Sequence, residues 1–264
     1  MPEMPTVSLV IPMFNEEENI AQTLRVSIAA LERHASDYEI LVVDDASTDG
    51  SPQIVAEIAR ENPKIRTIRH DRNRKLGGSL KTGFASAGLE LVLYMDADLA
   101  SDPEELGRAI RAMGLTRADV IAGYRFDRTT EGVRRTIYSA AYNALVNVLF
   151  GWPYRDINFA FKLIRREVLN AIELKSEGSL IDAELIIKAK NLGFVVQQIG
   201  LDYFPRSRGR SNLSSPAVIF KILRELIVLY PEMRRPRRRG EAAAGASGVA
   251  AEMHGNEAPH RHGG

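Results

Sequence analysis

Asp96 and Asp98 close the run LYMDAD, an apolar segment at residues 93–98 that ends in two carboxylates flanking an alanine. In a strand, side chains two residues apart share a face. The two carboxylates therefore leave the strand end close together and pointing the same way. Anions so placed repel unless a cation sits between them, and hard oxygen donors suit Mg²⁺ or Mn²⁺, often shared with a substrate's phosphates. A lone Asp-x-Asp is a weak signal, because surface turns also use aspartate. Here the pair closes the fourth strand-like segment of an alternating strand and helix pattern. Open parallel sheets bind ligands at the carboxyl ends of their strands.

The elements that must position this pair can be read from the pattern. Strands are predicted over residues 7–11, 38–43, 65–69, 91–95 and 120–123, with Pro12 ending the first. Helices are predicted over 16–31, 51–60, 79–87 and from Pro103 to about 113, with Glu16, Glu17 and Glu18 in the first turn of the first helix. Asp49 and Gly50 shape the turn before the second helix. This alternation implies βαβ units around a parallel sheet. After Gly123 the rhythm changes. Residues 134–150 read as a long helix, 156–164 as irregular, 182–191 as a helix, 194–199 as a strand and 216–234 as an amphipathic helix. From Pro236 on, Ala, Gly, Arg and His dominate without apolar period, so residues 234–264 are read as a disordered tail. In that reading His254, His260 and His262 are solvated.

Composition narrows the function classes. The chain has 264 residues, 45% hydrophobic and 26% charged, with net charge +1, ordinary for a globular protein. Outside the tail, which holds six Arg and three Glu, the chain is close to neutral, so no nucleic-acid footprint is expected. There is no cysteine, hence no disulfide or thiolate chemistry. The N-terminus lacks a signal-peptide pattern, and no stretch reaches the roughly 20 apolar residues a membrane span needs. No GK[ST] follows residues 77–78 and no GxGxxG follows the first strand. Neither a P-loop nor a dinucleotide-binding dehydrogenase is indicated.

Seven segments together resemble the inverting GT-A glycosyltransferases of family 2, closest to the dolichyl- and polyprenyl-phosphate mannose and glucose transferases. They are VIPMFNEEENI at 10–20, VVDDASTDGS at 42–51, NRKLGGSLKTGF at 73–84, LYMDADL at 93–99, GYRF at 123–126, DINFAFK at 156–162 and RSRGRS at 206–211. The resemblance implies one α/β GT-A domain over 1–233: a mostly parallel mixed sheet flanked by helices. Its nucleotide-sugar half covers about 6–123 and its acceptor half 124–233. It further implies a donor site formed by Pro12, Phe14, Asn15, Glu16, one of Asp44 and Asp45, Lys75, Gly78, Asp96, Ala97 and Asp98. Asp98 is the stronger candidate ligand for Mg²⁺ or Mn²⁺, with Asp96 on the ribose or the ion's water shell. Relatives often carry Tyr where Phe14 stands, which leaves only stacking. Glycines 77 and 78 are expected to let the backbone approach the nucleotide, with Lys75 favoured over Lys81 as the neighbouring cation.

Arginine forks match phosphate oxygens. Arg125, Arg134 or Arg135, and Arg206 with Ser211 in R-x-x-G-x-S, are therefore expected to hold donor and acceptor phosphates. Asp156 either orders the site or takes a proton, since a lipid phosphate is already an anion and needs little base. Asp182 and Glu184 either join the acceptor site or cap a helix; Phe159 and Phe161 are read as core.

The implied reaction is hexose transfer from a nucleotide sugar, GDP-mannose or UDP-glucose, to a polyprenyl phosphate. A soluble glycan acceptor, or a non-catalytic nucleotide-sugar-binding subunit, are the other readings. The helix at 216–234 carries a broad apolar face and runs into Arg234, Arg235, Arg237, Arg238 and Arg239. It either packs on the domain or rests on an anionic bilayer surface. The expected setting is cytoplasmic, peripheral to the membrane, with a membrane subunit or a second copy as possible partners.

Overall fold

Two elements alternate along the first half of the chain, as the pattern requires. In order they are β1 (Thr6–Met13), α1 (Ile20–His34), β2 (Asp37–Asp44), α2 (Ser51–Glu61), β3 (Ile65–Arg69), α3 (Lys75–Ser86), β4 (Leu91–Met95), α4 (Glu105–Thr116) and β5 (Val120–Arg125). Then follow α5 (Val133–Phe150), β6 (Phe161–Arg165), α6 (Arg166–Ala171), α7 (Ile181–Asn191), β7 (Val196–Leu201) and α8 (Pro216–Met233). The computed structural model describes residues 4–126, 133–151, 153–202 and 216–234, with backbone alone for 133–138 and 216–223. The tail from 235 on lies outside the described residues.

The strands form one sheet in the order β3-β2-β1-β4-β6-β5-β7. β1 pairs in parallel with β2 and β4, so successive crossovers turn to opposite sides of β1. The carboxyl ends of β1 and β4 thus flank the topological switch point, where such sheets bind ligands. β6 runs antiparallel between β4 and β5, which makes the sheet mixed.

Burial on both faces explains the uninterrupted apolar runs of the central strands. Leu9 and Ile11 pack on one side with Leu24 and Leu31 of α1, Val55 of α2 and Leu106 of α4. Val10, Leu41 and Tyr94 pack on the other with Leu80 and Phe84 of α3, Val146 of α5, Ile186 of α7 and Leu226 of α8. The result is three layers, helices over sheet over helices.

Several boundaries depart from expectation, each for a local reason. Residues 156–164 are not wholly irregular: β6 begins at Phe161 and α6 follows it directly. Lys162 breaks the apolar pattern of that strand although it is fully buried. Pro12 does not end β1; it pairs with Val43, and β1 runs to Met13. Pairing with β4 covers only Val7 to Val10, so Pro12 sits where β1 has lost one neighbour, an edge position that tolerates a missing N–H. α1 starts at Ile20, not Glu16, because the Glu16 and Glu17 amides donate to Ser51 and Asp49 instead. α3 starts at Lys75 rather than Ser79, which puts both glycines in its first turns. Asp182 and Glu184 are not caps: α7 begins at Ile181 with no side-chain cap bond.

Among the described residues no helix is long and apolar enough to cross a membrane. α8 lies against the domain through Leu226 and Met233, both buried, while Ile227 and Val228 face outward.

Gly83 shows how tightly α3 seats on β1. A Cβ there would lie 2.3 Å from Val10 Cγ1. Gly83→Ala gains helix propensity worth about 1 kcal/mol but overpacks a stiff β-branched neighbour at about 1–3 kcal/mol. A net loss of about 1 kcal/mol is expected by urea denaturation; a gain in stability means the α3–β1 contact yields more easily than its geometry indicates.

Candidate active site

Two loops at the β1 and β2 ends are strapped together. Asn15 has the left-handed φ of 55°. Its amide donates to Ser47 Oγ at 3.1 Å and its Oδ1 accepts from the Thr48 amide at 2.8 Å. The Glu16 amide donates to Ser51 Oγ at 2.8 Å, the Glu17 amide to Asp49 Oδ2 at 3.1 Å, and the Gly50 amide returns to Glu17 Oε2 at 2.7 Å. Asp49 also accepts from Ser51, as expected of a turn former. Phe14 stands 46% exposed beside this strap, an aromatic face open to a stacking partner. Glu16 has its side chain on Asn19, and Pro12 is half-buried within β1.

Asp44 and Asp45 divide their work. Asp45 Oδ1 accepts from the Arg74 amide at 2.7 Å and lies 2.7 Å from His70 Nδ1, whose Nε2 is 2.9 Å from Thr82 Oγ1. It is an internal strut from β2 to α3. Asp44 Oδ1 accepts from the Ser47 amide at 2.8 Å. Its Oδ2 is buried without a hydrogen bond, with only Arg69 Nη1 at 3.4 Å. An unused acceptor oxygen on Asp44 is what separates the two aspartates.

At the end of β4, Asp96 and Asp98 are both half-buried around the buried Ala97. The Ala97 carbonyl accepts from Thr23 Oγ1 at 2.6 Å, which pins this turn to α1. Asp98 Oδ1 accepts from the Ala100 amide at 3.3 Å, across Leu99 at a left-handed φ of 56°. The Tyr94 hydroxyl, 3.4 Å from Asp96 Oδ1, lies inside the sheet. Burial, with Asp182 and Asp96 adding negative charge, pushes that hydroxyl's pKa well above its usual value, so it keeps its proton.

Under this rim sits a lysine. Lys162 faces Tyr94 across the β4–β6 pair. Its Nζ is 2.5 Å from Asp182 Oδ1, 2.8 Å from the Phe159 carbonyl and 5.5 Å from the Tyr94 ring centre. Burial raises the Asp182 pKa, while Lys162 pulls it down. Phe159 and Phe161 are core, as read.

The donor set at the rim fits a hard divalent cation. Among the described residues no cluster of three or more carboxylate, histidine or cysteine ligands exists. Two carboxylates alone match the habit of Mg²⁺, which takes one or two and leaves its other positions to phosphates and water.

On the acceptor side, Arg125 and Asp156 meet fork to carboxylate, Nε–Oδ2 2.6 Å and Nη2–Oδ1 2.7 Å, with side-chain exposures of 7% and 2%. Asp156 holds a left-handed φ of 47° to do so. Both oxygens of Asp156 thus accept from Arg125. The side chains of Arg134 and Arg135, and all of Arg206 and Ser211, lie outside the described residues.

A basic groove of about 570 Å³ opens at the start of α3, lined by Arg72, Arg74, Lys75, Lys81, Gly78 and Glu177, among others. Arg72 and Arg74 were not anticipated; the charge density of DRNRK is the signal that marks them. Gly77 and Gly78 also have close protein neighbours that leave no room for a side chain. A Cβ at Gly77 would lie 2.3 Å from the Ser176 carbonyl, and one at Gly78 would lie 2.4 Å from Arg74 Cβ.

The family profile described as "Glycosyl transferase family 2" matches residues 8–173, which takes in the switch point and every segment around it. The chain belongs to glycosyl transferase family 2. Within that family it is 30% identical over 214 residues to glycosyltransferase AglD of Haloferax volcanii, covering 78% of this chain and 34% of that protein. The chain thus spans about a third of the length of that curated relative. Among solved structures, glucosyl-3-phosphoglycerate synthase from Mycobacterium tuberculosis, with Mn²⁺, UDP-glucose and phosphoglyceric acid, matches with TM-score 0.67 at 19% identity, covering 86% of this chain and 80% of that one. Mannosyl-3-phosphoglycerate synthase from Rubrobacter xylanophilus matches with TM-score 0.66 at 18% identity, covering 88% and 76%. These likenesses establish the fold.

In this family 2 domain the Lys162–Asp182 pair generates a stability prediction. Lys162→Met leaves a buried carboxylate without its partner, at about 3–5 kcal/mol, and Lys162→Met with Asp182→Leu should recover most of that. Without Lys162, the Asp182 pKa rises further. A raised folded-state pKa favours the fold at low pH and penalises it as pH rises. The deficit of Lys162→Met should therefore be larger at pH 8 than at pH 5 in urea melts. A deficit independent of pH would show that Asp182 does not carry it.

Proposed function

We propose that this domain transfers a hexose from a nucleotide sugar to a polyprenyl phosphate, with Mg²⁺ or Mn²⁺ as its metal. The observation that carries the reading is the Asp96–Asp98 pair at the β1–β4 switch point, with the exposed Phe14 and the basic groove of α3 on the same side. Mn²⁺ and UDP-glucose together in a solved relative support it.

In this reading Phe14 stacks on the base, Asn15 and Glu16 frame its pocket, and Asp44 accepts from the ribose or base. Asp96 and Asp98 hold the metal. When bound, that ion supplies Lewis-acid neutralisation of the leaving nucleoside diphosphate. The Tyr94 hydroxyl and the Ala97–Thr23 bond fix the carboxylates so that little reorganisation is needed at reaction. An acceptor phosphate oxygen attacks the anomeric carbon in line, the bond to the diphosphate breaks, and configuration inverts. Arg125 stays aligned through Asp156, and Arg134, Arg135, Arg206 and Ser211 are proposed to hold the acceptor phosphate.

A second reading keeps the donor and changes the acceptor. The solved relatives named above are a glucosyl- and a mannosyl-3-phosphoglycerate synthase, so a soluble phosphorylated acid is the competing acceptor. Both acceptors present a phosphate to the same arginines. Radiolabelled transfer to undecaprenyl phosphate in detergent, run beside 3-phosphoglycerate, separates them; label only in the soluble product overturns the lipid reading.

A ligand that binds only the folded state raises its stability, by about 2.7 kcal/mol at 100 times Kd. UDP-glucose or GDP-mannose with Mn²⁺ should raise Tm, and Asp98→Asn should remove that rise and lower transfer about 100-fold or more. An undiminished shift and rate in Asp98→Asn would sink the metal site, and silence in transfer alone would favour a non-catalytic binding subunit.

The acceptor lipid places the domain at a bilayer surface, with the outward Ile227 and Val228 of α8 and the arginines that follow as the contact. The full chain should pellet with phosphatidylglycerol vesicles at low salt, and serine at positions 237–239 should abolish this. Equal pelleting by the variant removes the surface contact from the proposal.

A further inference from the structure

Residues 172–180, between α6 and α7, stand between two elements that share no sequence neighbourhood. On one side they form a wall of the basic groove. The Gly77 amide donates to the Glu177 carbonyl at 2.9 Å, and the missing Gly77 side chain is what lets the Ser176–Glu177 backbone come so near. Lys81 Nζ donates to the Lys175 carbonyl at 3.3 Å, so one groove cation is held by this segment, and Glu177 lines the groove itself.

On the other side the same segment is gripped by α8. Ser176 Oγ donates to Glu225 Oε2 at 2.8 Å, and Lys175 Nζ meets Glu232 Oε2 at 2.8 Å. Glu232 Oε1 also takes Lys188 Nζ of α7 at 2.8 Å. Glu184, fully buried, accepts from the Lys175 and Ser176 amides. Two α8 carboxylates and one α7 carboxylate therefore fix a backbone stretch whose far edge shapes the groove.

We propose that Glu225, acting through Ser176, is a positioning residue for the nucleotide sugar: the seating of α8 on the domain sets the geometry of the groove at the start of α3. This rests on the reading of that groove as part of the donor site. Coupling of this kind needs a contiguous set of contacts that both ends share, and here the path is four groups long: Glu225, Ser176, Glu177 and Gly77. α8 is also the element proposed to meet the bilayer, so a shift in its seating would be felt as a change in donor affinity.

The test uses the full chain with Ser176→Ala, Glu225→Ala, the double variant, Glu225→Gln, which keeps an oxygen acceptor, and Arg224→Ala on the exposed side of α8. Two readouts are taken. Hydrogen exchange at the Gly77 amide needs no ligand; titration of UDP-glucose and of GDP-mannose with Mn²⁺ gives donor Kd. Either alanine variant should speed Gly77 exchange and weaken donor binding about three- to ten-fold. The loss should appear in donor KM rather than kcat. The double variant should be no worse than either single, Glu225→Gln should recover most of the affinity, and Arg224→Ala should match wild type. Unchanged Gly77 exchange overturns the link. Faster exchange with unchanged Kd overturns its role in donor binding. If the wild type binds neither nucleotide sugar, it is the donor reading that fails, and exchange at Gly77 still decides whether α8 holds the groove wall.

Discussion

One buried cation organises the chemistry-bearing half of the sheet. Lys162 places an ammonium between Asp182 and the ring of Tyr94, one strand away from Asp96 and Asp98. Carboxylates gathered at one rim repel one another, and burial of Asp182 alone would be costly. The lysine offsets the cost at Asp182. β6, antiparallel between β4 and β5, is the strand that sets residue 162 opposite Tyr94.

The parallel half of the fold is legible in the sequence because its central strands β1, β2 and β4 are buried on both faces and announce themselves as apolar runs. The DAD pair is legible for the same reason, since it ends the clearest of them. The acceptor half is harder to read. In β6 the buried Lys162 looks like a surface residue until Asp182 supplies its charge partner. That pairing spans twenty positions, and no local pattern encodes it. The partition between Asp44 and Asp45 is likewise invisible, because it depends on His70 and the Arg74 amide reaching one of them. Glycines 77 and 78 are visible, but the backbone that fills the space beside Gly77 comes from residues 176–177, a hundred positions on.

Arg125 and Asp156 carry a similar lesson. Both are recognisable as site candidates from their motifs, yet their roles follow from each other. The fork-to-carboxylate contact occupies both oxygens of Asp156 and holds Arg125 in one pose.

The reciprocal bonds between residues 15–17 and 47–51 join two stretches more than thirty positions apart into one rigid collar. An Asn15 amide needs a hydroxyl at 47, and a Glu17 carboxylate needs a bare amide at 50 with little room beside it. Single exchanges within the collar would strand a polar partner. Exchanging one stretch between homologues therefore requires moving the other with it, as a matched cassette.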